Sequence, residues 1–154
     1  MLEKNCASSE LIFVTFLMFI LLLAQSRAEY VGGTASTLAS GNTGSIDASD
    51  QRYLAFYTKR GQVRVSYDRV NLLEYGQKVD RRLLAAAVIS PMFLLSKSRK
   101  HFLTIGYTDE DGRQQALVFR VDKGSIRSAL VSLEARTGLK IQYQDEEARK
   151  AGKG

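Results

Sequence analysis

The chain has 154 residues, 45% hydrophobic and 25% charged, the balance of one globular domain once an N-terminal segment is set aside. Its formal charge of +6 favours anionic partners such as lipid headgroups, acidic polymers or acidic proteins, although a modest positive charge also serves solubility alone. The single cysteine, Cys6, precedes the first apolar run, so a chain cut after that run has neither disulfide nor thiolate chemistry.

Leu11 to Ala24 is apolar apart from Thr15. That is short of the roughly 20 residues a bilayer span needs. It matches the apolar core of a signal peptide, and Ser26-Arg27-Ala28 offers small residues at the −3 and −1 positions of a cut. Residues 1–28 are therefore expected to be a signal peptide, with a retained anchor or a buried helix as the alternatives. The chain would then be exported, to the periplasm or beyond the cell. Residues 29–43 are rich in Gly, Ser, Thr and Ala and are expected to form a flexible linker.

From Gly44 the pattern turns to period two, and residues 44–144 are expected to form the domain. Ser45 to Ala48 suggests a short strand. Tyr53 to Lys59 and Gln62 to Tyr67 alternate around an Arg60-Gly61 turn and form a hairpin, with Val63, Val65 and Tyr67 inward. Asp68-Arg69 turns the chain into a strand over Val70 to Gly76. His101 to Tyr107 and Ala116 to Val121 form a second hairpin around the Asp111-Gly112 turn. Ile126, Ala129, Leu130, Leu133 and Thr137 mark one face of a helix from about Ser125 to Thr137. Asp122 or Ser125 is expected to cap it, and Gly138 to close it. Leu139, Ile141 and Tyr143 mark a last strand, and residues 145–154 form a charged tail expected to fray. The fold class expected is mainly β with some α: a curved antiparallel sheet or partly open barrel, capped by one C-terminal amphipathic helix.

One stretch stands apart. Lys78, Arg81 and Arg82 lead into Leu83 to Leu95, which is apolar but for Ser90 and Pro91; Lys97, Arg99 and Lys100 follow. Leu83 to Ile89 favours helix, Pro91 breaks it, and Met92 to Leu95 suits a buried strand. Cations beside an apolar segment combine headgroup attraction with insertion into a bilayer. The same segment could instead pack on the sheet or meet a protein partner, since a large exposed apolar patch is unusual on a monomer.

The strand and turn from Val63 to Val70, the hairpin from His101 to Val121 and the terminal helix together resemble a pleckstrin-homology-like domain of the bacterial or GRAM type. The likeness covers about Gly44 to Tyr143. It implies a bent sheet plugged by a helix, and a basic open end that meets lipid headgroups. The chain is also similar to small exported bacterial proteins of unknown function. These carry a Glu-Tyr-Gly-Gln-Lys segment, here Glu74 to Lys78, and a basic run before a His-Phe-Leu-Thr strand. The insertion at 83–95 and the strand after the helix depart from the pleckstrin-like pattern.

Catalytic equipment is sparse. One histidine, His101, leaves almost no route to a nucleophile–base pair or a zinc site. Asp109, Glu110 and Asp111 cluster without the calcium-loop spacing and read as a solvated hairpin tip. No nucleophile elbow, phosphate loop or dinucleotide fingerprint occurs. No enzyme activity, cofactor or metal is expected. No aromatic platform interleaves with the cations, so nucleic acid is not expected either. The binding residues expected are Arg81, Arg82, Lys97, Arg99 and Lys100, facing an anionic lipid surface or a protein of the cell envelope.

Overall fold

The computed structural model describes residues 25–77, 88–89 and 100–153. They form one open, mainly β sheet with two short helices. The strands are β1 (Gln25–Gly33), β2 (Thr43–Asp47), β3 (Tyr53–Thr58), β4 (Gly61–Ser66), β5 (Val70–Gly76), β6 (Val88–Ile89), β7 (His101–Thr108), β8 (Gln114–Val121) and β9 (Gln142–Tyr143). The helices are α1 (Ile126–Thr137) and α2 (Glu146–Lys153), and a 3-10 turn at Tyr67–Arg69 joins β4 to β5. Strand order is β4-β3-β2-β1-β8-β7-β5-β9, with β6 paired to β1 beyond the end of β2. All pairings are antiparallel except β5 with β9.

Alternation decides which face is buried. On one face Ile46, Leu54, Phe56, Val65, Tyr67, Leu73, Tyr75, Leu103, Ile105, Leu117 and Phe119 join a single core. Phe119 is its centre, tilted against Phe56 at 4.8 Å and edge-on to Tyr30 at 5.9 Å. Helix α1 lays Ile126, Leu130 and Leu133 on this core and buries Ala129 beside them, as the 3-4 spacing predicts. Gly138 closes the helix at φ +71, the left-handed geometry that carries no Cβ penalty only at glycine. The start differs from expectation. No side chain caps it; the Asp122 carbonyl accepts N–H bonds from Ser125 and Ile126 at 3.0 Å each.

The largest difference lies at 29–43. Tyr30 to Gly33, expected as linker, belong to β1, which lies between β2 and β8 in the middle of the sheet. Tyr30 is 2% exposed and Val31 is fully buried. Composition misleads here because the small residues serve close packing. A Cβ on Gly33 would lie 2.2 Å from the Ala116 carbonyl oxygen. Val31, Phe102 and Val118 form a second buried cluster on the face opposite the helices.

Two further expectations change. The strand expected over Leu139–Tyr143 shrinks to Gln142–Tyr143 and runs parallel to β5, with Tyr75 opposite Tyr143. The tail expected to fray instead forms α2, capped by the Asp145 carboxylate, which accepts the Ala148 N–H at 2.6 Å. Ala148 is fully buried, and Gly152 lies against Tyr143, Leu130 and Tyr75. Within the apolar insertion, Val88 and Ile89 are strand rather than helix, because they take the backbone groups of Gly32 and Gly33 left open where β2 ends. The other residues of Leu83–Leu95, and the apolar run Leu11–Ala24, lie outside the described residues.

Candidate basic surface

The ladder registers bring distant cations together. Arg27 pairs with Ser45, and Ser45 with Tyr57, so β1, β2 and β3 share one row. Ala28 pairs with Val121, and Val121 with His101, in the next row across β8 and β7. Lys100 before β7 and Lys123 after β8 therefore continue past that row on the side of Arg27, whereas Lys59, in the β3–β4 turn after Thr58, lies past it on the side of Glu29. Arg27, Lys59 and Lys123 are exposed and Lys100 is half-buried. Among the described residues none of these four makes a salt bridge.

A groove of about 790 Å³ lies over these rows, lined by Arg27, Glu29, Ser45, Tyr57, Lys59 and Arg120 among others. Glu29 and Arg120 face each other across β1 and β8 and form an ion pair. That pair cancels its own charge, so the net positive potential of the groove comes from Arg27 and Lys59, with Asp122 at the rim. The turn carrying Lys59 is fixed from below: the Thr58 hydroxyl donates to the Gly61 carbonyl at 2.9 Å and accepts the Arg60 N–H at 3.2 Å.

Of the five residues expected to bind, only Lys100 is described. Arg81, Arg82, Lys97 and Arg99 lie outside the described residues. The described borders of their stretch are informative, however. Strand β5 ends at Gly76, opposite Phe102, one residue beyond the start of β7. Gln77 and Lys100 thus leave and rejoin the sheet at the end that holds Lys123, on the Arg27 side of the shared row. Sequence reading missed Arg27, Lys59 and Lys123. By sequence Arg27 falls within the expected leader, and Lys59 and Lys123 are lone cations in turns; no linear signal connects them.

His101 turns inward from the same end. Its Nδ1 lies 2.5 Å from the Tyr75 hydroxyl, and the two rings stack at 5.9 Å and 11°. Burial, with Lys123 contributing, holds the imidazole below its ordinary range, and burial raises the Tyr75 phenol. Neutral His101 thus serves as a packing and hydrogen-bonding group of the core margin.

The opposite end of the β7–β8 hairpin carries Asp109, Glu110 and Asp111. The Asp109 carboxylate accepts the N–H groups of Arg113 at 2.8 Å and Asp111 at 3.0 Å, which lowers its pKa. Glu110 faces Arg69 at 3.7 Å and Asp111 faces Arg113 at 3.2 Å, all exposed pairs of small energetic weight. These contacts make Asp109 the brace of a hairpin turn. Among the described residues no three His, Cys, Asp or Glu side chains converge on a possible metal position.

Lys100 and Lys123 thus stand at one end of the β7–β8 hairpin, and the acids at its other end are met by Arg69 and Arg113. Comparison of the chain with protein-family models finds no match, and comparison with curated proteins finds none either.

Proposed function

We propose that this protein is an exported, non-catalytic, pleckstrin-homology-like module that docks on an anionic membrane surface. Arg81, Arg82, Lys97, Arg99 and Lys100 make the contact, and Arg27 and Lys123 extend it. The observation that carries this reading is that both described borders of the basic–apolar–basic stretch, Gln77 and Lys100, meet the end of the sheet that holds Lys123. Cations gathered on one end act together on a charged surface, each adding about 1 kcal/mol near an anionic leaflet. The bent sheet with α1 packed across it supports the pleckstrin-like assignment. Central strand β1 and the β9–α2 extension would be additions to that plan.

The test is co-sedimentation of the full chain with vesicles of pure phosphatidylcholine and of phosphatidylcholine with phosphatidylglycerol. Binding should need the anionic lipid and weaken as salt rises. Charge reversal at Lys97, Arg99 and Lys100 should remove binding and leave the far-ultraviolet spectrum unchanged. Equal sedimentation before and after reversal would exclude these residues.

A second reading, an envelope scaffold that pairs with a protein, draws on β4. It ends the strand path, and its outer backbone groups have no strand partner among the described residues. Failure to sediment on any vesicle, with pull-down of an envelope protein lost on Val63→Pro, would favour it.

A further inference from the structure

We infer that Ser26-Arg27-Ala28 is not the processed export site, and that the working protein keeps Gln25 to Ala28 as the first half of its central strand. The inference rests on the export reading above, but its ground is the sheet itself. Among the described residues strand β2 pairs on one side with β3 and on the other only with β1, through Gln25↔Asp47, Ser26↔Ile46, Arg27↔Ser45, Ala28↔Gly44 and Glu29↔Thr43. A cut after Ala28 would leave one of these five pairs, Glu29↔Thr43. The leaf formed by β2, β3 and β4 would then hold to the rest of the ladder at a single point.

The residues lost are also built into the interior. Ser26 is 3% exposed, and its hydroxyl donates to the Ser125 carbonyl at 3.4 Å, at the start of α1. Ala28 is 6% exposed, belongs to the main core and pairs with Val121. The Arg27 carbonyl accepts the Asp122 N–H at 3.3 Å, and its side chain lines the basic groove. Small residues at 26 and 28 therefore have a packing reason that is independent of any peptidase. They sit where β1 runs between β2 and β8, so the resemblance to a −3, −1 pair arises from close strand packing. Processing, if made, lies ahead of Gln25. The apolar run then ends within one residue of the sheet, at the end that holds Lys123.

The test is expression of the full-length chain in an export-competent bacterium, with purification of the accumulated protein from each compartment. Intact mass and N-terminal sequencing identify the first residue; hydrogen exchange reads the β1–β2 ladder. The expected product begins at or before Gln25, and the amides of β2 exchange more slowly than those of the Asp109–Gly112 tip. A product starting at Arg27 or Glu29 overturns the inference. So does a product that keeps Gln25–Ala28 while β2 exchanges as fast as the hairpin tip. Recovery of the chain solely from the cytosol overturns the export reading instead, and the exchange measurement on that material still decides whether the strand half is needed.

Discussion

Leu133 offers the sharpest test of how the helix and sheet share one core. It is fully buried on α1, while Val131, two residues earlier on the same helix, is 66% exposed. Leu133→Ala removes apolar groups worth roughly 2 kcal/mol in transfer from water. The surrounding residues come from both sheet and helix and cannot all collapse into the gap, so a cavity term raises the loss to about 3–4 kcal/mol. For a domain of this size that lowers the melting temperature by about 10 °C or more. Val131→Ala removes little buried area and gains about 0.5 kcal/mol of helix propensity, so its stability should match or slightly exceed that of the parent. Urea unfolding followed by circular dichroism measures both. The packing would be refuted if Leu133→Ala cost less than about 1 kcal/mol, far below the range for a buried leucine. Equal losses at the two positions would refute the facing of the helix.

Other consequences follow from single contacts. Ala148→Asp forces a carboxylate into a fully buried site unless α2 undocks, and undocking forfeits about 1–2 kcal/mol of buried apolar contact; unchanged stability and unchanged tryptic cleavage at Lys150 would mean the tail is free. Gly44→Ala would bring a Cβ to 2.0 Å from the Tyr57 carbonyl oxygen, so β2 and β3 must separate, at about 1–3 kcal/mol by thermal unfolding. His101 is held below its ordinary pKa in the fold, so the unfolded chain binds the proton more readily. Stability should therefore fall as pH drops below about 6.5, and His101→Phe, which keeps the ring contact, should flatten that slope. An identical slope in the variant would assign the acid sensitivity elsewhere. Tyr67, whose phenol is pushed up to about 12 by burial, should resist ionisation in a spectrophotometric titration until the protein unfolds in alkali.

Much of the architecture was written in local patterns. The hairpin of β3 and β4, the strand β5 over Val70–Gly76 and the hairpin of β7 and β8 each alternate strongly enough to declare their faces. The buried face of α1 and its glycine stop were equally plain. These are short-range signals: the period of the apolar residues and the residue types that turns demand, and no partner need be known to read them. The candidate site was partly legible in the same way, because the cations flanking Leu83–Leu95 are adjacent in the chain.

What escaped the sequence is what depends on neighbours. β1 has little alternation, because a strand with partners on both sides and Gly33 against Ala116 needs small residues more than apolar ones. α2 is too short and too charged to hold itself; it forms where Asp145 caps it and the rings of Tyr75 and Tyr143 receive it. The placing of Arg27, Lys100 and Lys123 on one side of a shared row, with Lys59 across the groove from Arg27, follows from strand registers, which no linear spacing encodes. The sequence alone thus determined the periodic elements and the excess of positive charge. Tertiary pairing decided which weak segments became structure and where that charge collects, because ladder bonds and close contacts form only between residues distant in the chain.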